Sequence, residues 1–278
     1  MSAPVLTAGR APGPVERAAP FLFLLFWSGG YVAARVGVSH AEPLTFVALR
    51  FVLAAAIFAA VAALRRDRLP ADRQLLAHLA MTGVLSQALY FAGCHLGFAH
   101  GMASATVALI NGLQPIPVAI VAVPLLGEGV GTAEGGLWVA IAMVSITSGT
   151  LYQKRFCPQF ALWSGGAVQD AAAVLVVLPT ALLTERQAIA WSSDFALALV
   201  YVVVVNSVVA VMLMNLMIRT GEASKVSSLH FLVPGGAALL AWLILGETLA
   251  PLALVGLAVT SAGVLLVIRP GLVRETWR

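Results

Sequence analysis

Long apolar runs recur along nearly the whole chain, broken at short intervals by polar or charged clusters. A helix that crosses the hydrocarbon core of a bilayer needs about 20 consecutive, mainly apolar residues. By that measure the pattern predicts spans near 18–37, 43–64, 75–96, 102–126, 161–183, 195–218, 224–245 and 251–268, with a further apolar stretch over about 136–156. The connections between them leave no room for a soluble domain.

Composition agrees with the pattern. Of 278 residues, 60% are apolar and 10% charged, and the mean hydropathy is +0.96. A soluble fold of this size carries about a quarter charged residues, so a water-soluble enzyme, a nucleic-acid-binding domain and a disordered chain are all excluded. The net charge of +4 does not signal nucleic acid, because the basic residues sit in short clusters between apolar runs, as membrane topology distributes them. Two cysteines, Cys94 and Cys157, form neither a disulfide framework nor a metal motif. The tail before residue 18 lacks a signal-peptide pattern, and no cleavage is expected there.

The second half repeats the first. A shift of 119 residues lays Val107–Glu128 over Val226–Glu247 without a gap, with eight of 22 positions identical, including Pro115/Pro234 and the Leu-Gly-Glu triplets at 126–128 and 245–247. At an offset of 120, Ser28-Gly29 overlays Ser148-Gly149 and Arg35 overlays Arg155. Glu247 is followed by a whole span, whereas only some 20 residues separate Glu128 from Ser148. The first half is therefore short by about one span, a shortfall the repeat places near 135–146.

Charge counting tests the number of crossings. With ten spans and a cytoplasmic N-terminus, 13 Lys and Arg residues lie inside and two, Arg35 and Arg186, outside, with Arg50 within a span. A single crossing over 136–156 would change this to seven against eight. The positive-inside rule favours ten, and a true nine-span protein is the alternative. The expected fold is thus an all-α polytopic membrane protein with ten transmembrane helices in two five-helix repeats. An odd number of crossings per repeat inverts one half relative to the other. The expected organisation is a cytoplasmic tail at 1–17, repeat one at 18–137, repeat two at 138–268 and a cytoplasmic tail at 269–278.

Inverted repeats locate candidate chemistry at their interface, near the bilayer centre. Pro115 and Pro234 each remove a hydrogen bond to the carbonyl four residues earlier, which belongs to Asn111 and His230. Gly235 loosens the second break further. Asn111 and His230 are therefore candidates for lining a site, the alternative being that they only satisfy local backbone. Gln87 and Tyr90 lie on a polar stripe of the third span with Gly83, Ser86 and Cys94, facing either a cavity or a neighbouring helix. Asp170 is the one acidic residue deep in a span and Arg50 the one basic residue there. Asp170 can carry a proton or a charge, or it can simply pair with Arg50. Trp163 is a candidate cavity wall or an interfacial anchor, and Asn206 is a further candidate. Nucleotide-binding, nucleophile-elbow and zinc-helix signatures are absent, so no enzyme, cofactor or metal is expected.

Several of these motifs resemble one family. Phe26-Trp27-Ser28-Gly29-Gly30-Tyr31-Val32-Ala33, then Pro43-Leu44-Thr45-Phe46-Val47-Ala48-Leu49-Arg50-Phe51, then Pro115 with Leu126-Gly127-Glu128, is similar to the EamA-type drug/metabolite transporters, and Pro234 with Leu245-Gly246-Glu247 repeats the signature. In character the chain is nearest the YddG-type amino-acid exporters. The resemblance implies a ten-span inverted repeat in the bacterial inner membrane with both termini cytoplasmic, acting on a small-molecule substrate, with membrane lipid around it and no nucleic-acid partner. It makes spans 1, 3, 4, 6, 8 and 9 the expected cavity walls. The expected function is secondary export of small metabolites, amino acids first, by alternating access. The alternatives are proton-coupled export of drugs or organic cations through Asp170, and a non-transporting sensor or scaffold. A monomer fits as well as a dimer.

Overall fold

The computed structural model describes residues 13–112, 132–157, 159–219, 229 and 232–248. Helices α1 (Pro14–His40) and α2 (Pro43–Arg65) open the chain. A composite helix follows, made of α3 (Arg73–Gly83), a π-helical segment (Val84–Leu89) and α4 (Tyr90–Ala99). Next come α5 (Ser104–Gly112), α6 (Ala133–Phe156) and α7 (Leu162–Thr184). A second composite helix joins α8 (Ser193–Val200), a π-helical segment (Tyr201–Ala210) and α9 (Val211–Arg219), and α10 (Val233–Leu245) is the last helix described. No strand occurs among the described residues, and six helices are long and apolar enough to cross a membrane. The expected span at 251–268, Pro115, His230 and Glu128 lie outside the described residues.

The helix ends sort into two layers. One holds the α1–α2 turn, the start of α5, the start of α6 and the α7–α8 connection. Ala190 N–H donates to the His40 carbonyl at 2.7 Å, and Thr132 N–H to the His100 carbonyl at 3.3 Å. The other layer holds Arg65–Arg73 and the α6–α7 connection. There Ser164 Oγ donates to the Arg68 carbonyl at 3.2 Å, and His78 Nδ1 lies 2.7 Å from the Tyr152 hydroxyl. The basic cluster Arg65–Arg73 thus shares its layer with Lys154-Arg155.

Helix termini need partners for their first N–H groups, and in a membrane protein water cannot always supply them. Asp72, Thr132 and Ser192 cap α3, α6 and α8 with their own side chains. The α2 terminus is capped from a distance, by Glu185, whose carboxylate accepts from Leu44 N–H at 2.8 Å and Thr45 N–H at 2.7 Å.

The packing displays the internal repeat. Helix α1 runs antiparallel along the α8–α9 composite: Ala19 and Phe23 meet Leu213 and Met217, and Gly30 makes room for Asn206, whose Nδ2 would lie 2.6 Å from an added Cβ. Helix α6 runs in the same way along the α3–α4 composite. There Gly149 faces Ser86, and an added Cβ on Gly93 would fall 2.6 Å from the Trp138 carbonyl oxygen. Lipid gives no hydrophobic drive for helices to associate, so close approach at small residues carries the packing. Helix α7 packs along α2, with Val47, Ala48 and Phe51 against Ala173, Val177 and Ala181.

Two expectations move. Helix α6 is continuous through 135–146, so a missing span cannot fall there. It would have to precede Thr132, outside the described residues. The repeat boundary expected at 137/138 likewise falls inside α6. Pro234 lies in the first turn of α10, where its missing N–H would have had no helical acceptor.

Candidate functional site

A cavity opens between α1, α2, α4 and the second π-helical segment. Its volume is about 30 Å³, room for a water or two as it stands. Trp27, Gly30, Tyr31 and Ala34 form the α1 wall, and Tyr90, Phe91, Cys94, His95 and Phe98 the α4 wall. Arg50 enters from α2 and Asn206 from the π-helical segment.

Local backbone explains both ends of this constellation. Val84–Leu89 and Tyr201–Ala210 are π-helical, and the 119-residue shift lays the first inside the second, with Gln87 on Asn206. A π segment widens the turn and re-aims side chains, and such bulges concentrate at functional sites. Ser207 Oγ donates five residues back, to the Val202 carbonyl at 2.8 Å, and so satisfies an acceptor of the widened turn. Nothing in the apolar pattern marks these segments, because runs this short and apolar show no resolvable period.

Arg50 is the electrostatic centre. It is 3% exposed. Its Nη2 donates to Asn206 Oδ1 at 2.9 Å and its Nε to Ser207 Oγ at 3.2 Å. Its guanidinium carbon lies 3.8 Å from the Phe91 ring centroid, a cation–π geometry. The expected alternative, an ion pair with Asp170, is corrected: among the described residues no ion pair joins them, although Arg50 is the charge whose field Asp170 feels. Asp170, on α7, is 4% exposed and does not line the cavity.

Around Arg50 the groups are neutral hydrogen-bonders. The Tyr31 and Tyr90 hydroxyls approach to 3.2 Å, and buried Asn111 donates through Nδ2 to Cys94 Sγ at 3.3 Å. Asn111 Oδ1 and His95 Nε2 have no partner among the described residues, while His95 Nδ1 lies 2.7 Å from the Phe91 carbonyl. Sequence reasoning gave no role to His95, which sits towards a span end, or to Phe91, which is apolar.

The structure thus brings Arg50, Tyr90 and Asn206 together, with Asn111 behind Cys94. Gln87 does not line the cavity. Trp163 stands outside it, buried and packed on Phe58 at 5.6 Å between ring centroids, with Arg65 over its ring. No cluster of His, Cys, Asp and Glu suited to a metal occurs among the described residues.

The class defined by this architecture is a polytopic helical membrane protein with a mostly apolar cavity among its helices, which one buried arginine enters. The EamA-like transporter family model matches twice, over residues 18–134 and 133–269, and the chain belongs to that family. It is 25% identical over 272 residues to the "uncharacterized inner membrane transporter YedA" of Escherichia coli K12, covering 89% of this chain and 88% of that protein. About 25 of those aligned positions face a gap in this chain, since 89% of 278 residues is about 247. It is 27% identical over 286 residues to the chloroplastic "WAT1-related protein At3g02690" of Arabidopsis thaliana, covering 87% of this chain and 66% of that one. A solved crystal structure of a protein, 18% identical, matches with a TM-score of 0.62 over 91% of this chain and 96% of its own, a likeness of fold alone.

Proposed function

We propose that this EamA-family transporter is a secondary exporter of small metabolites, with amino acids as the favoured substrates, acting in the bacterial inner membrane by alternating access. The observation that carries the reading is the cavity itself. It joins one buried cation, Arg50, to neutral hydrogen-bonding groups from Tyr31, Tyr90 and Asn206, with Trp27 and Phe91 beside them. That mixture suits a zwitterion with a variable side chain, because it supplies polar contacts without a matched pair of fixed charges.

The proposed architecture is ten spans in two inverted repeats, with both termini cytoplasmic. Helices α5 and α6 start in the same layer, so an even number of crossings between them fits the layers better than one. The basic clusters at 65–73 and 154–155 lie together, as a cytoplasmic layer would hold them. The positions left unmatched in this chain against YedA total about 25, an amount comparable to one span. Repeat two then begins with α6, the counterpart of α1, and one half rocks against the other around the cavity. The proton-coupled exporter of organic cations remains the second reading, resting on buried Asp170.

Uptake of radiolabelled amino acids into proteoliposomes, with and without an imposed pH gradient, tests both. Saturable uptake without a gradient is the expected result. Uptake that requires the gradient would favour coupling through Asp170. Absence of uptake under either condition would overturn the amino-acid assignment.

A further inference from the structure

The neutral company kept by Arg50 identifies what the cavity is built to receive. A guanidinium remains charged at neutral pH, and a charge buried at membrane depth is costly unless it is paired. The direct contacts of Arg50 are neutral, namely the Asn206 amide oxygen, the Ser207 hydroxyl and the face of Phe91, and the charge of Asp170 acts on it only from beyond ion-pairing distance. Among the described residues no carboxylate comes within ion-pairing distance, and no acidic residue lines the cavity. Glu185 and Glu247 are occupied in the opposite layer, capping α2 and α5.

The remaining donors have a direction. The fork of Arg presents Nε and two Nη groups in one plane, a shape matched to the two oxygens of a carboxylate. Nε and Nη2 are held by Ser207 and Asn206, which fixes that plane. Nη1 makes no hydrogen bond among the described residues, and Arg50 faces the cavity.

We infer that Arg50 is the carboxylate anchor of the cavity, oriented by Asn206 and Ser207, and that the ligand is a small carboxylate with an uncharged or zwitterionic body lying against Trp27 and Tyr31. The inference rests on the transporter reading and narrows it: an organic cation lacking a carboxylate would meet like charge at the centre of the site. The amino group is not required by this geometry, so a free carboxylic acid and an amino acid share the same anchor.

The test is a binding series on the purified full chain in lipid nanodiscs. The probes are L-phenylalanine, L-leucine and L-glutamine, each beside its carboxamide and its decarboxylated amine, with 3-phenylpropionate and inorganic phosphate as further arms. At least one acid should bind, with its amide and amine weaker by about tenfold to a hundredfold, the value of a hydrogen bond to a charged group. Arg50→Gln should abolish that binding and Arg50→Lys should retain some of it. Binding of 3-phenylpropionate with the amino acids supports an anchor for carboxylates in general, and its failure restricts the anchor to amino acids.

The inference is overturned if no acid binds, if amide or amine binds as tightly as the acid, if phosphate competes as well as the carboxylates, or if folded Arg50→Gln keeps full affinity. The wild-type series alone decides the matter if the variants do not fold. Flux separates this inference from the function on which it rests. Arg50-dependent binding with no flux in proteoliposomes would refute transport and leave the anchor. Saturable flux of the amines, unchanged in Arg50→Lys, would refute the anchor and leave transport.

Discussion

Glu247 caps the helix that Ser104 begins, across 143 residues of chain. Its carboxylate accepts from Ser104 N–H at 3.0 Å and from the Ser104 hydroxyl at 3.1 Å. Arg35 stands 3.9 Å from the same carboxylate and donates to the Phe98 carbonyl. The Leu-Gly-Glu triplet is thereby explained at its second occurrence. Gly246 takes the left-handed conformation that ends α10, with φ of 66°, and so delivers Glu247 to the positive end of α5.

Glu247→Ala should lower stability by about 1–2 kcal/mol, the cost of losing a charged N-terminal cap. Ser104→Ala should cost less, because the backbone N–H still reaches the carboxylate. Thermal unfolding in detergent checks both, and an unchanged midpoint for Glu247→Ala would show that the cap carries no stability.

Glu185 performs the corresponding service for α2 with three bonds, two from backbone N–H groups and one from Thr45 Oγ1 at 2.7 Å. Glu185→Ala should cost about 2 kcal/mol and Glu185→Gln less, since an amide keeps one acceptor oxygen. The order of the three melting midpoints is the test. A glutamine variant as unstable as the alanine variant would mean that charge, and not hydrogen bonding, holds the α2 terminus.

Gly83 and Gly101 give a contrasting pair. A Cβ at Gly83 would collide with the backbone of Gln169 on α7, so Gly83→Ala must push α3 and α7 apart. Gly101 has open space around it but a φ of 87°, so Gly101→Ala meets only backbone strain, about 1–2 kcal/mol. Thermal unfolding of both variants should show the larger loss for Gly83→Ala. Equal losses would mean that the α3–α7 contact yields more readily than its geometry implies.

Spans were legible in the sequence because apolar runs of membrane length have few other uses. The α1, α2 and α7 boundaries fall within four residues of those expected, and Arg50 and Asp170 stood out because ionised groups are rare at that depth. What surrounds Arg50 was not legible. Its link to Asn206 spans 156 residues and depends on a π-helical turn, a backbone detail that apolar periodicity does not encode. Trp163 shows the converse failure. An aromatic near a span end fits a cavity wall and an anchor equally, and the structure packs it on Phe58, away from the cavity. Pairing Asp170 with Arg50 was reasonable on charge alone, but two neutral groups hold the guanidinium.

That separation makes Asp170 and Asn206 experimentally distinct. Asn206 Oδ1 fixes one arm of Arg50 and faces the cavity, so Asn206→Ala should raise the KM for uptake about tenfold, the loss of a hydrogen bond to a charged group. Asp170 lies off the cavity with no hydrogen bond or ion pair among the described residues, so Asp170→Asn should keep gradient-free uptake at the wild-type level. Proteoliposome uptake at several external pH values, run on both variants, reads the two effects together. If Asp170→Asn instead abolishes uptake, or removes a pH dependence present in the wild type, the carboxylate belongs to the transport cycle. The proton-coupled reading then takes first place, with Arg50 as the charge that senses whether Asp170 is ionised.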